Sequence, residues 1–368
     1  MAKIVRCELV DVLPTLPDII ALESRALDTA DPDDLFLCAL GFEPRCLTLP
    51  RLLQEAGYKA NRAVYLEYAT NRDDNAANLP ELETHLNAMS ATVRPLEADS
   101  PNFPNHLRAL LELVISQAAG KPPRVTLDVS VAANRLLVKS VKILFEYDVR
   151  ARILYSEAAI YHPTKQEYER NPAHWQTEDV LGLERGVSDV VTSIDHPGYH
   201  LDPLPDYLVL FPTFKAERSK AVISAVDPSL LTSPGKKVHW LLGVPRLEED
   251  RWRLEAMRTI NALEVDTPQS EVSTFDYKDT MRALESIHRT VSERYKITLS
   301  PIGSKMQALG TALFCYMHPD IRIMFATPKE YNAAQYSEGC KARWKIDFGS
   351  LKELRCVLDR VGILRVQE

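Results

Sequence analysis

The sequence lacks long apolar runs and an excess of basic charge. No stretch reaches the ~20 apolar residues of a membrane-spanning helix, and the start, Met-Ala-Lys-Ile-Val-Arg, lacks the apolar core of a signal peptide. A net charge of -7 argues against a nucleic-acid coat or a membrane-surface protein, because both usually need a basic face. We therefore expect a cytoplasmic protein with no membrane partner and no general nucleic-acid binding.

Glycine-rich phosphate-binding motifs are also absent. The chain has only 13 glycines, and none of them forms a GxGxxG pattern. A Walker A loop places a hydroxyl residue directly after its lysine, whereas Ser304 precedes Lys305 here. These absences disfavour the usual modes of binding dinucleotides and nucleoside triphosphates.

Cysteine and histidine do not form a recognisable ligand pattern. The six cysteines include no CxxC pair, and Cys38 and Cys315 lie inside apolar segments. Buried thiols in a reducing compartment are the favoured interpretation. The sequence predicts no metal site and no cofactor.

Short apolar runs alternate with amphipathic stretches in each half of the chain, which is typical of a parallel sheet with crossover helices. Strands are predicted at 35–41, 62–68, 92–96, 124–129, 151–156, 206–211, 237–242, 271–275, 295–299 and 321–326. Helices are predicted at 46–57, 76–89, 104–118, 135–147, 217–225, 249–263, 278–293 and 305–316. The predicted fold class is α/β, with two tandem Rossmann-like domains whose sheets are mainly parallel.

The length of 368 residues also favours two domains, at ~150 residues for each. We predict an N-terminal domain, a connecting segment, a C-terminal domain and a tail with the order strand, helix and strand, over 1–165, 166–204, 205–335 and 336–368. Part of the connecting segment, 186–194, is expected to return to a sheet.

Two similar passages indicate an internal duplication. Residues 126–135 read Thr-Leu-Asp-Val-Ser-Val-Ala-Ala-Asn-Arg, and residues 298–305 read Thr-Leu-Ser-Pro-Ile-Gly-Ser-Lys. After the basic residue that ends each passage, an arginine, an isoleucine, an aromatic residue and a tyrosine recur with a shift of 170 residues. Repeated supersecondary units keep such features in one order, so we expect both halves to share one fold.

The second passage is a candidate anion-binding loop. A helix N-terminus presents backbone N–H groups and a partial positive charge, which favour phosphate or carboxylate. Gly303 allows close approach of the backbone, Ser304 supplies a hydroxyl and Lys305 supplies a cation. The alternative is that Ser300 and Pro301 only cap the helix and that Lys305 is solvated.

The turn Gly303-Ser304-Lys305 and the helix start Met-Gln-Ala-Leu after it resemble the signature of CRISPR-associated Rossmann fold (CARF) domains and of the related SAVED domains. In those families the motif follows a late strand and contacts phosphates and sugars of cyclic oligonucleotides. The resemblance covers 296–328 and, with a changed loop, 124–158. It implies that the ligand is bound by Ser300, Gly303, Ser304, Lys305 and Gln307 in one copy and by Asp128, Ser130, Asn134 and Arg135 in the other.

The sequence also departs from the pattern of these families. The usual Thr-Gly-Gly turn reads Ser-Pro-Ile-Gly at 300–303, and the first copy has no glycine. SAVED proteins fuse two such units in one chain, so the resemblance implies one pocket with a wall from each half.

The loops after the first strand of each half, 41–45 and 213–218, are expected to line the same cleft. Their aromatic residues would stack on a base and their arginines would bind phosphate. The candidate residues are Phe42, Glu43, Arg45, Thr213, Lys215 and Arg218. The alternative for each loop is an exposed ion pair beside a core aromatic residue.

The resemblance implies a non-catalytic sensor or recognition subunit of a prokaryotic antiviral defence system. Its partners would be a nucleotide-derived ligand of the cyclic oligonucleotide type and a separate effector or defence-complex subunit. One alternative is an enzyme of the ring-nuclease type, a metal-independent phosphodiesterase that acts in the same cleft. Another is a scaffold subunit that binds no ligand.

Overall fold

The chain divides into two compact units. The first comprises Met1–Tyr161 and Tyr336–Glu368, and the second comprises His162–Gln335. The tail 336–368 is therefore grouped with the first unit. The computed structural model describes residues 3–23, 31–170, 184–199, 203–232, 235–264, 266–333, 336–362 and 364–367.

The strands and helices follow the predicted alternation. The strands are β1 (Lys3–Arg6), β2 (Ile20–Ala21), β3 (Leu35–Ala39), β4 (Ala63–Glu67), β5 (Val93–Glu97), β6 (Arg124–Asp128), β7 (Arg150–Glu157), β8 (Ile160–Tyr161), β9 (Glu184–Pro197), β10 (Asp206–Leu210), β11 (Val238–Val244), β12 (Gln269–Ser273), β13 (Lys296–Ser300), β14 (Arg322–Tyr331), β15 (Ser337–Glu338), β16 (Ala342–Ser350) and β17 (Leu364–Gln367). The helices are α1 (Leu9–Val12), α2 (Thr48–Glu55), α3 (Arg72–Ala76), α4 (Leu79–Met89), α5 (Phe103–Gln117), α6 (Asn134–Leu144), α7 (Lys165–Arg170), α8 (Ala216–Val226), α9 (Trp252–Ile260), α10 (Tyr277–Val291), α11 (Lys305–Met317) and α12 (Leu351–Leu358). None of the described helices combines the length and the apolar content needed to cross a membrane.

The large sheet of the first unit has the strand order β2-β16-β7-β6-β3-β4-β5. Strands β3 to β7 pair in parallel, whereas β16 from the tail pairs antiparallel with β7. Because β3 is central, the chain adds β4 and β5 on one side and then crosses to add β6 and β7 on the other. Two small sheets, β1 with β17 and β8 with β15, complete the described strands of this unit.

The sheet of the second unit has the order β12-β11-β10-β13-β14-β9. Strands β10 to β14 pair in parallel, and β9 pairs antiparallel with β14. The strand β9 includes the segment 186–194, for which a return to the sheet is predicted. Other parts of the connecting segment, 171–183 and 200–202, lie outside the described residues.

Both units therefore have the same core arrangement, in which the first of the five parallel strands is central and an antiparallel strand pairs with the last of them. The prediction of an α/β fold with mainly parallel sheets is confirmed. The internal duplication stays a prediction, and the shared strand order is what a duplication would produce.

Burial explains why the central strands are apolar throughout and the edge strands are not. All residues of β3 are buried, and so are all residues of β10 except Asp206. Central strands of a parallel sheet are covered on both faces, so they read as continuous apolar runs. The edge strands β5 and β12 are more exposed and more polar.

A buried polar cluster joins three elements of the first unit. Arg152 in β7 donates from Nε to Thr126 Oγ1 at 3.0 Å and from Nη2 to Asp33 Oδ2 at 2.7 Å. Tyr58 also donates its hydroxyl to Asp33 Oδ2, at 2.6 Å. The bonds tie the amino-terminal ends of β3, β6 and β7 together.

The second unit has an equivalent cluster. Arg322 in β14 donates from Nε to Thr298 Oγ1 at 2.8 Å and from Nη2 to Asp206 Oδ1 at 2.8 Å. Arg152 and Arg322 are the arginines that recur with the 170-residue shift in the sequence. The two arginines therefore make the same kind of structural contacts in both units.

Candidate functional site

The candidate loop of the second unit lies where the strand order of the sheet reverses. Strands β10 and β13 are parallel neighbours, and the chain adds its later strands on the opposite side of β10 from β11 and β12. Ligands of open parallel sheets bind at the carboxyl ends of the strands at this position. The loops after β10 and β13 approach closely, because a Cβ atom on Gly303 would lie 3.3 Å from Phe211 Cβ.

Ser304 and Gln307 form a capping box at the start of α11. Ser304 Oγ accepts from the Gln307 N–H at 3.2 Å, and Gln307 Oε1 accepts from the Ser304 N–H at 2.8 Å. The Ser304 hydroxyl also donates to the carbonyl of Thr274, in the loop after β12, at 2.6 Å. These bonds fix the helix start and connect it to a second loop.

Gly303 has no side chain at a point where one would collide. A Cβ atom there would meet the amide oxygen of Gln307. A Cβ atom on Gly243 in β11 would lie 3.3 Å from Gln307 Nε2. The side chain of Gln307 therefore occupies space between two glycines, which explains why both positions need small residues.

Two buried polar atoms beside this helix start have no hydrogen-bond partner among the described residues, namely Ser300 Oγ and Gln307 Nε2. Ser300 is 0% exposed and Gln307 is 2% exposed. An unsatisfied buried group costs about 1–3 kcal/mol, so such atoms are uncommon without a role. Both belong to residues that the sequence predicts to bind ligand.

Lys305 adds positive charge at the same place. It is the first residue of α11, it is partly exposed, and the first turn of the helix contains no acidic residue. The first N–H groups of a helix have no intrahelical partner, and the helix dipole is positive at this end. The site is suited to a phosphate or carboxylate group.

The corresponding loop of the first unit differs in charge. Asp128 ends β6 as Ser300 ends β13. Its carboxylate accepts from the N–H and the hydroxyl of Ser130, at 2.9 and 2.5 Å, and the Ser156 N–H donates to Ser130 Oγ at 2.8 Å. Burial raises the pKa of Asp128 to about 6, although the bonds from Ser130 oppose this shift. A carboxyl group at this position disfavours a nearby anion.

Asn134 and Arg135 begin α6 and are partly exposed. Arg135 Nη2 donates to Asp99 Oδ1 at 2.8 Å, and the N–H of Ala133 donates to the hydroxyl of Tyr68 at 2.8 Å. An anion at the start of α6 would have to compete with these oxygen atoms. The contacts therefore favour the second copy as the principal anion site.

Arg45 is buried beside β7 of the first sheet. Its Nε and Nη2 donate to the Glu43 carboxylate at 2.9 and 3.1 Å, and its Nη1 donates to the carbonyl of Ser156 at 2.9 Å. Burial opposes the charge of Arg45, but the attraction of Glu43 outweighs it and raises the pKa of Arg45. Glu43 also accepts from the hydroxyl of Ser337, and the Phe42 ring packs edge-to-face on Tyr336, with centroids 5.7 Å apart.

Arg218 makes equivalent contacts in the second unit. Its Nε and Nη2 donate to the carbonyl of Ala326 in β14 at 3.0 and 2.8 Å, and its Nη1 donates to Glu184 at 2.9 Å. Thr213 Oγ1 accepts from the N–H of Lys215 at 3.1 Å. Partial burial lowers the pKa of Lys215. Binding of phosphate by Arg218, or by Arg45 in the first unit, would require exchange of these internal bonds.

Several residues that contact the loops were not predicted from the sequence. Thr274 follows β12 and accepts from Ser304, Asp99 follows β5 and accepts from Arg135, and Gly243 lies beside Gln307. No local motif marks these positions. They meet the loops only because the strand order brings distant segments to one edge.

Comparisons with known proteins give weak likenesses. No protein-family model matches the chain, and a search of curated proteins gives no match. Among solved structures, the chain is similar to a type III CRISPR defence DNA nuclease activated by cyclic oligoadenylate, with a TM-score of 0.42 and 11% identity over 75% of this chain and 63% of that chain. It is also similar to the cytoplasmic domain of a prokaryotic cation chloride cotransporter, with a TM-score of 0.25 and 8% identity over 83% of this chain and 99% of that chain.

The chain thus spans about 63% of the length of that nuclease. Both TM-scores are below 0.5, so neither likeness assigns a function. A functional assignment has to come from the residues of this chain.

Proposed function

We propose that the chain is a recognition subunit that binds a nucleotide-derived anion of the cyclic oligonucleotide type at the start of α11. The observation that carries the proposal is the pair of buried atoms without a described partner, Ser300 Oγ and Gln307 Nε2, beside Lys305 at the strand-order reversal. A ligand with hydrogen-bonding groups would satisfy both atoms, which removes the cost of leaving them unpaired.

Each group has a defined part in this proposal. The helix dipole and Lys305 attract a phosphate, Gln307 Nε2 donates to an oxygen of the sugar or base, and the Ser300 hydroxyl donates or accepts. The cyclic oligonucleotide class and the role in antiviral defence come from the resemblance of 296–328 to CARF and SAVED domains. Ligand binding would change the population of conformations of this chain, and a separate effector protein would bind one of these conformations preferentially.

A recognition role is preferred to ring-nuclease activity because of Ser304. Its hydroxyl donates to the Thr274 carbonyl and accepts from the Gln307 N–H, so it already serves the helix cap. Lys305 alone would have to stabilise the charge that develops during phosphodiester cleavage.

The test is calorimetry with a panel of cyclic oligonucleotides, followed by chromatography of the ligand. We expect Lys305→Ala to weaken binding about 10- to 150-fold, because a hydrogen bond to a charged group contributes about 1.5–3 kcal/mol. Lys236→Ala is the matched control, since Lys236 is exposed and precedes β11 at the opposite edge of the sheet. We expect Arg135→Ala to have a smaller effect than Lys305→Ala.

Recovery of intact ligand after incubation supports recognition, whereas a linear product supports the enzyme. No binding across the panel contradicts both. Equal affinity in Lys305→Ala and in the wild type contradicts the role of the α11 start, and a loss of affinity only in Arg135→Ala contradicts the choice of the second copy.

A further inference from the structure

Two histidines and an aspartate converge at the amino-terminal edge of the second sheet. His288 lies in the last turn of α10, His318 directly follows α11, and Asp320 lies in the connection from α11 to β14. We name these three residues the His-His-Asp cluster. It lies at the opposite end of α11 from Lys305, so it is separate from the candidate anion site.

The ligand atoms of the cluster are close together. One potential ligand atom from each residue lies within 4.8 Å of the others. His288 Nε2 is 3.1 Å from Asp320 Oδ2, and the ring centroids of His288 and His318 are 4.0 Å apart. Ligand atoms of one tetrahedral zinc ion lie about 3.3 Å apart, given zinc-ligand bonds of about 2.0–2.1 Å. Small side-chain rotations would bring the three atoms to this spacing.

An outer carboxylate supports the cluster. Glu285 Oε2 is 2.8 Å from His318 Nε2, and Glu285 precedes His288 by three residues on α10, which places both on one helix face. Arg289 donates to Glu285 Oε1 at 2.9 Å. A carboxylate that holds one imidazole nitrogen orients the other nitrogen toward a metal, as in many zinc sites. Because Arg289 neutralises Glu285, the negative charge of Glu285 does not add to that of Asp320.

Packing holds the cluster in place. The rings of His288 and His318 both pack against Phe314 of α11, with centroids 6.0 and 4.5 Å from its ring. The exposed fractions of the side chains are 17% for His288, 16% for His318 and 31% for Asp320. The cluster is thus shielded on one side and accessible to an ion on the other.

We propose that His288, His318 and Asp320 bind one divalent transition-metal ion of the zinc type. Two imidazoles and one carboxylate match zinc and leave a fourth position for water. The ion would link α10 to the connection between α11 and β14. No metal site is predicted from the sequence, because these residues come from separate elements and lack the spacing of a known ligand motif.

The test uses the full chain after removal of metal with a chelator. We expect one equivalent of Co²⁺ to produce the visible absorption of a tetrahedral site, Zn²⁺ to displace it, and Zn²⁺ to raise the melting temperature. Asp320→Asn and His288→Asn should each lower Zn²⁺ affinity by at least ~10-fold, since even outer-shell changes cost that much. His106→Asn is the control, because His106 is exposed on α5 of the other unit.

Three results would overturn the proposal. The first is a failure of the wild type to bind Co²⁺ or Zn²⁺ stoichiometrically. The second is wild-type Zn²⁺ affinity in both variants, and the third is an equal loss of Zn²⁺ affinity in His106→Asn. The first result would mean that the residues form only two hydrogen-bonded pairs, His288 with Asp320 and His318 with Glu285. Circular dichroism checks that each variant folds, and Asp320→Asn, which keeps the side-chain shape, decides the question if His288→Asn does not fold.

Discussion

Replacement of Arg152 by methionine tests whether the buried cluster stabilises the first unit. Arg152 and Asp33 have side chains that are 5% and 0% exposed, and their atoms are 2.7 Å apart. The variant would remove the cation that is hydrogen-bonded to the buried Asp33 carboxylate and would leave only Arg124, whose Nε is 3.7 Å from Asp33 Oδ1. Arg322→Met removes the equivalent residue of the second unit, but Arg322 and Asp206 are 29% and 25% exposed, so water can solvate the remaining carboxylate.

The two variants should therefore differ in magnitude. Loss of one partner of a buried ion pair costs about 3–5 kcal/mol, whereas a pair that is open to solvent contributes about 0.2–1 kcal/mol. For units of this size, 1 kcal/mol corresponds to a shift in melting temperature of about 2–4 °C. We expect the first unit to melt about 6–20 °C lower in Arg152→Met and the second unit at most about 4 °C lower in Arg322→Met.

Differential scanning calorimetry measures both shifts. Arg150→Met is the control, because Arg150 is an exposed residue of the same strand as Arg152, and exposed substitutions usually change stability by less than about 0.5 kcal/mol. Equal shifts in Arg152→Met and Arg322→Met, or a larger shift in Arg322→Met, would refute the assignment of the difference to burial.

Two other substitutions give separate tests of the fold. Burial raises the pKa of Asp128 from 3.8 to about 6. The folded state therefore binds a proton more tightly than the unfolded state, which contributes about 3 kcal/mol of stability below about pH 4. This contribution is lost as the pH rises through 6. Asp128→Asn should therefore gain stability relative to the wild type between pH 4 and pH 7 in urea unfolding, and a constant difference would contradict the shift. A Cβ atom on Gly310 would lie 2.9 Å from Thr280 Cβ, so Gly310→Ala should destabilise the second unit by about 1–3 kcal/mol; unchanged stability would contradict close packing of α10 and α11.

Local pattern was enough to predict the parallel strands and the long helices that connect them, but not the short elements β1, β2, β8, β15, α1, α3 and α7. The apolar runs at 35–41 and 206–211 correspond to β3 and β10, because a central parallel strand must be apolar on both faces. The predicted start of α11 near residue 305 is also correct. The alternative that Ser300 and Pro301 cap this helix is wrong, because Ser300 ends β13 and the cap is Ser304, which forms a capping box with Gln307. Such features depend on residues that are neighbours in the chain.

The hydrogen-bond partners of the site residues could not be predicted from the sequence. Arg45 and Arg218 have the sequence context of phosphate-binding residues, yet each donates to the backbone of a strand that lies more than a hundred residues away. Likewise, His288 and His318 are thirty residues apart and meet only through the packing of α10 and α11.

Patterns of neighbouring residues thus predicted the α/β class, the alternation of elements and the polar loops that follow the strands. The three-dimensional fold was needed to show which loops share an edge of a sheet, which arginines bind groups within their own unit, and which polar atoms are buried, such as Ser300 Oγ. The physical reason is that periodicity and capping act over a few residues, whereas hydrogen-bond partners and burial depend on the strand order, which joins segments far apart in the chain.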